Sequence, residues 1–146
     1  MPGYKSHIVG GVVAYVVGYL VITHYIKPTP FVAGQWAMVC ILGSLFPDVD
    51  IKSKGQGIFY RLLALFLLYL AYKRLWQLFV VMSFLALVPV LSRHRGLFHK
   101  LWFVGCVPFA AALAAWTSFP EYAVLLFSSA FFFAVGSISH ILLDRG

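Results

Sequence analysis

Charge is scarce in this sequence. Only 10% of its 146 residues are charged, and just four of them are acidic. A water-soluble domain carries about a quarter charged residues, so an ordinary solvated surface is excluded. Cysteine is scarcer still. Cys40 and Cys106 both fall inside apolar tracts, are read as reduced core residues, and make no disulfide framework. No tract alternates polar and apolar residues with period two, which excludes the strands of a membrane barrel. Internal repeats, linkers and low-complexity tracts are absent. So is a small-x-small cleavage site after the first apolar run, which ends at Lys27-Pro28; a retained first helix is expected rather than a signal peptide.

What is abundant is hydrocarbon. Hydrophobic residues make up 62% of the chain, and the mean hydropathy is +0.93. Tracts of 15 to 22 mainly apolar residues lie at 8–26, 31–46, 58–72, 75–91, 101–116 and 122–143. Such lengths suit helices that cross a bilayer. The sequence therefore predicts an all-α polytopic membrane protein, about six transmembrane helices in one bundle, forming a single domain over 1–146. Prolines 28 and 30 stop the first span, and Gly10, Gly11 and Gly18 on it allow a neighbouring helix to approach closely. Residues 51–57 read as a polar loop. The third span is short, with Arg61 one turn in, and Lys73-Arg74 marks a tight turn. A re-entrant hairpin over the third and fourth spans would strand those cations near mid-membrane, so full spanning with snorkelling side chains is expected. Pro108 is expected to kink the fifth span, and residues 117–121 form a turn.

The polar residues that remain are sorted. Residues 92–100, Ser-Arg-His-Arg-Gly-Leu-Phe-His-Lys, put two histidines and three cations into an otherwise apolar region. With six alternating spans, His7, Asp48, Asp50, His94, His99, His140 and Asp144 all fall on the side of the N-terminus. Only His24 among five histidines, and Glu121 among four acids, falls on the other. Lys5, Lys52, Lys54, Arg61, Arg93, Arg95, Lys100 and Arg145 share the N-terminal side; Lys27, Lys73 and Arg74 face them across the membrane. The positive-inside rule makes the richer side cytoplasmic, with both termini there. The same rule, with anionic lipid head groups, accounts for the net charge of +7. No basic arm or stacking platform is present, and no nucleic-acid partner is expected.

Each polar island is ambiguous alone. His140 and Asp144, four apart, share a helix face; they can chelate one ion, the Asp can orient the His, or both can face cytosol. Asp48-Val49-Asp50 follows Pro47 at a helix end, where the macrodipole disfavours carboxylates unless a cation or solvent compensates. Gly96 allows a turn that brings His94 and His99 together. His24 reads as an interfacial residue on the far face. The conjunction is stronger: imidazoles with carboxylates suit zinc, manganese or iron. Seven candidates exceed the four ligands of one tetrahedral zinc, so either more than one ion is bound or some of the seven orient others or act as general base. Arg93, Arg95 and Lys100 are candidates to hold an anionic substrate, or else simply follow the positive-inside rule.

His7, then Leu-Phe-Pro-Asp48-Val-Asp50, then His94-Arg95-Gly96-x-x-His99, then Ser139-His140-Ile-Leu-Leu-Asp144, resembles the YdjM-like family of LexA-regulated, membrane-bound metal-dependent hydrolases across nearly the whole chain. The resemblance implies a bacterial inner-membrane, multi-pass protein and metal-dependent hydrolysis. A more distant similarity to zinc-dependent phospholipase C and P1-type nucleases implies a phosphoester substrate and a multi-zinc site. Phe98 and Lys100 stand where the family usually has Thr and Ser, and many members continue well past the Asp, whereas this sequence stops at Arg145-Gly146.

The reading is a hydrolase with a His/Asp metal site at the cytoplasmic membrane face. His7, Asp48, Asp50, His94, His99, His140 and Asp144 are the candidate ligands, and the divalent metal, one or more ions, is expected to be zinc, with manganese or iron as alternatives. Asp50, His99 and Arg95 are the candidate catalytic residues, and Arg93, Arg95 and Lys100 would bind substrate. Metal-activated water would attack a phosphoester or lipid head group, with membrane lipid as partner and anionic phospholipid as substrate. The alternative is a metal-ion transporter or a non-catalytic metal-binding protein. Transporter sites usually lie near the midplane, whereas these candidates cluster at span ends.

Overall fold

The computed structural model describes residues 3–49, 54–74, 76, 79, 80, 83, 87 and 99–145. Those residues form five long helices: α1 (Tyr4–Ile22), α2 (Pro30–Leu45), α3 (Lys54–Tyr72), α4 (Leu101–Ser118) and α5 (Ala123–Arg145). Single 3-10 turns, Phe46–Asp48 and Pro120–Tyr122, extend α2 and precede α5. Five helical segments are long and apolar enough to cross a membrane. The span expected at 75–91 lies largely outside the described residues.

The faces of α1 show how a membrane helix is patterned. Its exposed side carries Val9, Val13, Val16, Val17 and Leu20, while its buried side carries His7, Gly11 and Gly18. Lipid is as apolar as a protein core, so hydrophobicity does not choose the buried face. Small size and polarity do.

Helix α5 is the centre of the bundle and packs against α1, α2 and α4. Its seam with α2 is a ladder of small and polar residues. At one end the Trp36 indole N–H donates to Ser128 Oγ at 2.9 Å and the ring stacks on Phe132, with centroids 5.0 Å apart. Further along, a Cβ on Gly136 would collide with the Cys40 carbonyl, and one on Gly43 with the Phe133 carbonyl. Only glycine permits that backbone approach. The Ser137 hydroxyl lies 3.0 Å from both the Gly43 and Phe133 carbonyl oxygens, tying the two helices together where they are closest. Helix α1 runs antiparallel to both. The Cys40 thiol donates to the Gly11 carbonyl at 3.4 Å, and Gly18 abuts Phe132. Among the described residues, α3 packs chiefly against α2 and the turn that follows it.

The predicted spans shift at their ends. Helix α1 starts four residues earlier than expected and ends at Ile22, because the Thr23 hydroxyl bonds back to the Tyr19 carbonyl at 2.8 Å and the chain turns there. Helix α3 is 19 residues rather than the short expected span. It begins at Lys54, inside the segment read as loop, since two glycines and a glutamine do not stop a helix that packs by its apolar remainder. Helix α4 runs unbroken past Pro108 to Ser118, into the expected turn, and α5 runs to Arg145. Cys40 is buried and free as expected. Cys106 is free but exposed, not a core residue. His24 is exposed in the turn after α1, 2.7 Å from the Leu20 carbonyl oxygen, far along α1 from His7.

Candidate metal centre

Three helix ends and one turn converge at a single end of the bundle. Asp48 closes the 3-10 turn that continues α2, held there by Pro47 and by the Val49 N–H bonding to the Phe46 carbonyl at 3.1 Å. The Gln56 amide of α3 donates to the Val49 carbonyl at 2.8 Å and pins the chain just past the carboxylate. His99 immediately precedes α4, whose N-cap is Lys100. His140 and Asp144 sit one turn apart in the last two turns of α5, and His7 lies in the first turn of α1.

His140 is fully buried. Its Nδ1 lies 2.7 Å from the Ser44 carbonyl oxygen, so Nδ1 carries the proton and donates it. This fixes the tautomer and leaves the Nε2 lone pair facing the site. Among the described residues Nε2 has no hydrogen-bond partner. It faces Asp144 Oδ2 at 3.3 Å and Asp48 Oδ1 at 3.5 Å. His99 Nε2 faces the same two oxygens at 3.6 Å each. His7 Nε2 faces the other oxygen of Asp144, Oδ1, at 3.5 Å, and the His7 ring stacks on His140.

These distances discriminate. A charge-assisted N–H···O bond closes to about 2.8 Å, so the separations are too long for a set of paired ions in direct contact. Donors about 2.0–2.2 Å from a common ion stand about 3.4 Å apart along a tetrahedral edge. The four N–O separations among Asp48, His99, His140 and Asp144 run from 3.3 to 3.6 Å, and all four donor atoms lie within 4.8 Å of one another. Two carboxylates and two imidazoles also balance the charge of a divalent cation. The donor set fits a metal ion, and these four residues could hold one. The pocket is graded in exposure: the His140 side chain is 0% exposed, Asp144 14%, His99 23% and Asp48 28%. The solvent side is therefore the one lined by Asp48 and His99.

Of the residues singled out from the sequence, His7, Asp48, His99, His140 and Asp144 are brought together. Asp50, Arg93, His94 and Arg95 lie outside the described residues. Lys100 is exposed next to His99. Ser44 was missed. It contributes through its main-chain carbonyl, which side-chain chemistry does not reveal; its place one turn before Asp48 was the available sign. Gly43, Gly136 and Ser137, which set the distance between the helices carrying Asp48 and His140, were missed too.

No curated relative and no solved structure matches the chain. A family model described as YdjM inner membrane protein matches residues 1–145. This match spans all the converging His and Asp residues, and its description agrees with five apolar helices of bilayer-crossing length. The chain belongs to the YdjM family of inner membrane proteins.

Proposed function

We propose that this protein is a metal-dependent hydrolase acting at the cytoplasmic face of the inner membrane on a phosphoester, with a lipid head group as the natural substrate. The observation that carries the reading is the convergence of Asp48, His99, His140 and Asp144, from separate parts of the chain, with donor atoms within 4.8 Å of one another. A buried imidazole nitrogen such as His140 Nε2, which faces two carboxylates with no hydrogen-bond partner among the described residues, is costly to maintain. A bound cation offsets that cost.

When bound, a divalent ion supplies a Lewis acid and an activated water at neutral pH. The chain's own residues do the rest. The Ser44 carbonyl orients His140, an arrangement whose loss in other metal sites costs 10–100-fold in affinity. Asp48 and Asp144 supply the negative charge that holds the cation. His99 and Asp48, the more exposed members, border the side from which substrate enters. Lys100, exposed beside His99, is placed to meet an anionic group, and Arg93 and Arg95 keep that role by sequence. Asp50 is the candidate general base. The excess of cations on this side supports its assignment to the cytoplasm, and a site at the helix ends matches the depth of lipid phosphates.

The test is elemental analysis of the detergent-purified protein beside His99→Ala and Asp50→Asn, followed by a phosphoesterase screen on anionic phospholipid in mixed micelles. Bound zinc or manganese, and turnover lost in both variants while they remain folded, is the expected result. A metal-free wild type that also fails to take up added metal removes the reading.

A further inference from the structure

The seam between α1 and α5 does not close along its whole length. Among the described residues it leaves two open grooves, one toward each end of the bundle. The groove at the end of the His/Asp cluster has a volume of about 620 Å³, and the one at the far end about 520 Å³. Their sizes are similar but their chemistry is not. The far groove is lined by apolar side chains such as Val21, Ile26, Val124 and Phe127, and no lysine or arginine lines it among the described residues. The near groove has apolar walls, Val9 and Val13 on α1 and Leu142 and Leu143 on α5, but Lys5 and Ser6 stand at its head.

Lys5 is exposed in the first turn of α1. Arg145, also exposed, follows Leu142 by three residues, so it stands one turn further along the same face of α5. Two cations therefore crown the near groove. From Lys5 to Ala14, the two ends of its α1 wall, the helix advances about 14 Å. One leaflet contributes about half of a hydrocarbon core of about 30 Å. A trough one leaflet deep, apolar along its walls and cationic at its mouth, is complementary to an anionic amphiphile. The groove is also separate from the cluster. Leu143 lies against Gly10 and floors it, and His7, one residue past Ser6, is buried.

We propose that the near groove binds one anionic phospholipid from the surrounding leaflet, with an acyl chain between Val13 and Leu142 and the head-group phosphate at Lys5 and Arg145. This lipid is a resident of the α1–α5 seam and not a substrate, and its binding does not depend on the metal centre proposed above. The chain fills the space that the two helices leave between them, and the basic side chains select its charge. A ligand that binds only the folded bundle stabilises it, so the lipid braces α1 against α5 at the end where His7 meets Asp144.

Native mass spectrometry of the full chain in detergent, titrated with phosphatidylglycerol or with phosphatidylcholine of the same acyl chains, tests this. The wild type is expected to retain one phosphatidylglycerol about tenfold more tightly than phosphatidylcholine. Lys5→Gln with Arg145→Gln should erase that preference. Val13→Trp, which fills the groove, should weaken phosphatidylglycerol retention about tenfold, whereas Val124→Trp, which fills the far groove, should leave it unchanged. Val13 and Val124 are 58% and 62% exposed, so neither substitution disturbs the core. Equal retention of the two lipids by the wild type overturns the proposal, as does a Val13→Trp protein that holds phosphatidylglycerol like the wild type or a Val124→Trp protein that loses it. A wild-type dimer that Val13→Trp splits would assign the groove to a second copy of the chain and overturn it too. Each of these outcomes leaves the metal centre standing, because the readout is lipid and not metal.

Discussion

The α2–α5 crossing sets the spacing of the candidate metal-binding residues at a distance, and one methyl group tests it. In Gly136→Ala the new Cβ would stand 2.9 Å from the Cys40 carbonyl carbon and 3.0 Å from the Ser44 nitrogen, with the Cys40 carbonyl oxygen nearer still. Carbon atoms in contact prefer about 3.5–4.0 Å, so α2 must withdraw from α5 by about 1 Å. Ser44 and Asp48 travel with α2, and His140 and Asp144 stay with α5. The His140–Asp48 separation then opens from 3.5 Å to about 4.5 Å, well past the about 3.4 Å edge of a tetrahedral site, where donor distances hold to within about 0.2 Å. The hydrogen bond from His140 to the Ser44 carbonyl stretches in the same movement. Metal affinity should fall about 10–100-fold, the usual cost of a displaced supporting interaction. Overpacking should cost about 1–3 kcal/mol of stability, of which the better helix propensity of Ala over Gly returns up to about 1 kcal/mol. Gly34→Ala on α2 is the control, since nothing lies within 4 Å of a Cβ there; it gains the propensity alone. Chelator competition gives the affinity, and thermal unfolding in detergent gives the stability. A Gly136→Ala protein with wild-type zinc affinity would falsify the claim that this crossing positions the ligands.

Three further outcomes are expected. Asp48→Asn removes a charged donor that faces both His99 and His140, so zinc affinity measured by competition should drop at least 100-fold with little loss of helix by circular dichroism; a drop under threefold counts against Asp48 as a ligand. Trp36→Phe removes the N–H that binds Ser128 at the opposite end of the seam. It should lower the unfolding temperature by a few degrees, in line with about 0.6–1.7 kcal/mol for an interhelical hydrogen bond in a membrane, and leave metal content unchanged; loss of metal would show that the two ends of the seam are coupled. A fluorescent protein fused after Gly146 should fold and fluoresce, and alkaline phosphatase at the same place should be inactive, because both report a cytoplasmic C-terminus; the reverse pattern inverts the orientation.

The spans were readable because hydropathy over a membrane's thickness is a property of composition alone. Their ends were less so. Lys54-Gly-Gln-Gly looks like loop, yet it is the first turn of α3, since helix starts depend on local hydrogen bonding more than on polarity. The site was readable to the extent that its chemistry lies in side chains of rare type. His140 and Asp144 announce a shared face by their spacing, and the alternation of spans brings His7, Asp48 and His99 to the same side. The supports were hidden. Sequence marks Gly43, Gly136 and Ser137 as small but not as partners, because pairing depends on which helices become neighbours. The Ser44 carbonyl belongs to the backbone, which every residue has. The stacking of His7 on His140 needs two rotamers and a helix crossing, and no spacing rule contains either.

The clustered residues also have an order in time. Of the helices described, His7 lies on the earliest in the chain and Asp144 on the last turn of the latest, yet the two side chains end 3.5 Å apart. Asp48 and His99 enter the bilayer in between and wait for partners that have not yet been made. Nothing resembling the finished cluster exists until α5 has been inserted beside α1 and α2. Without α5 neither His140 nor Asp144 stands beside His7, Asp48 and His99, so the cluster forms only once that helix is packed in place.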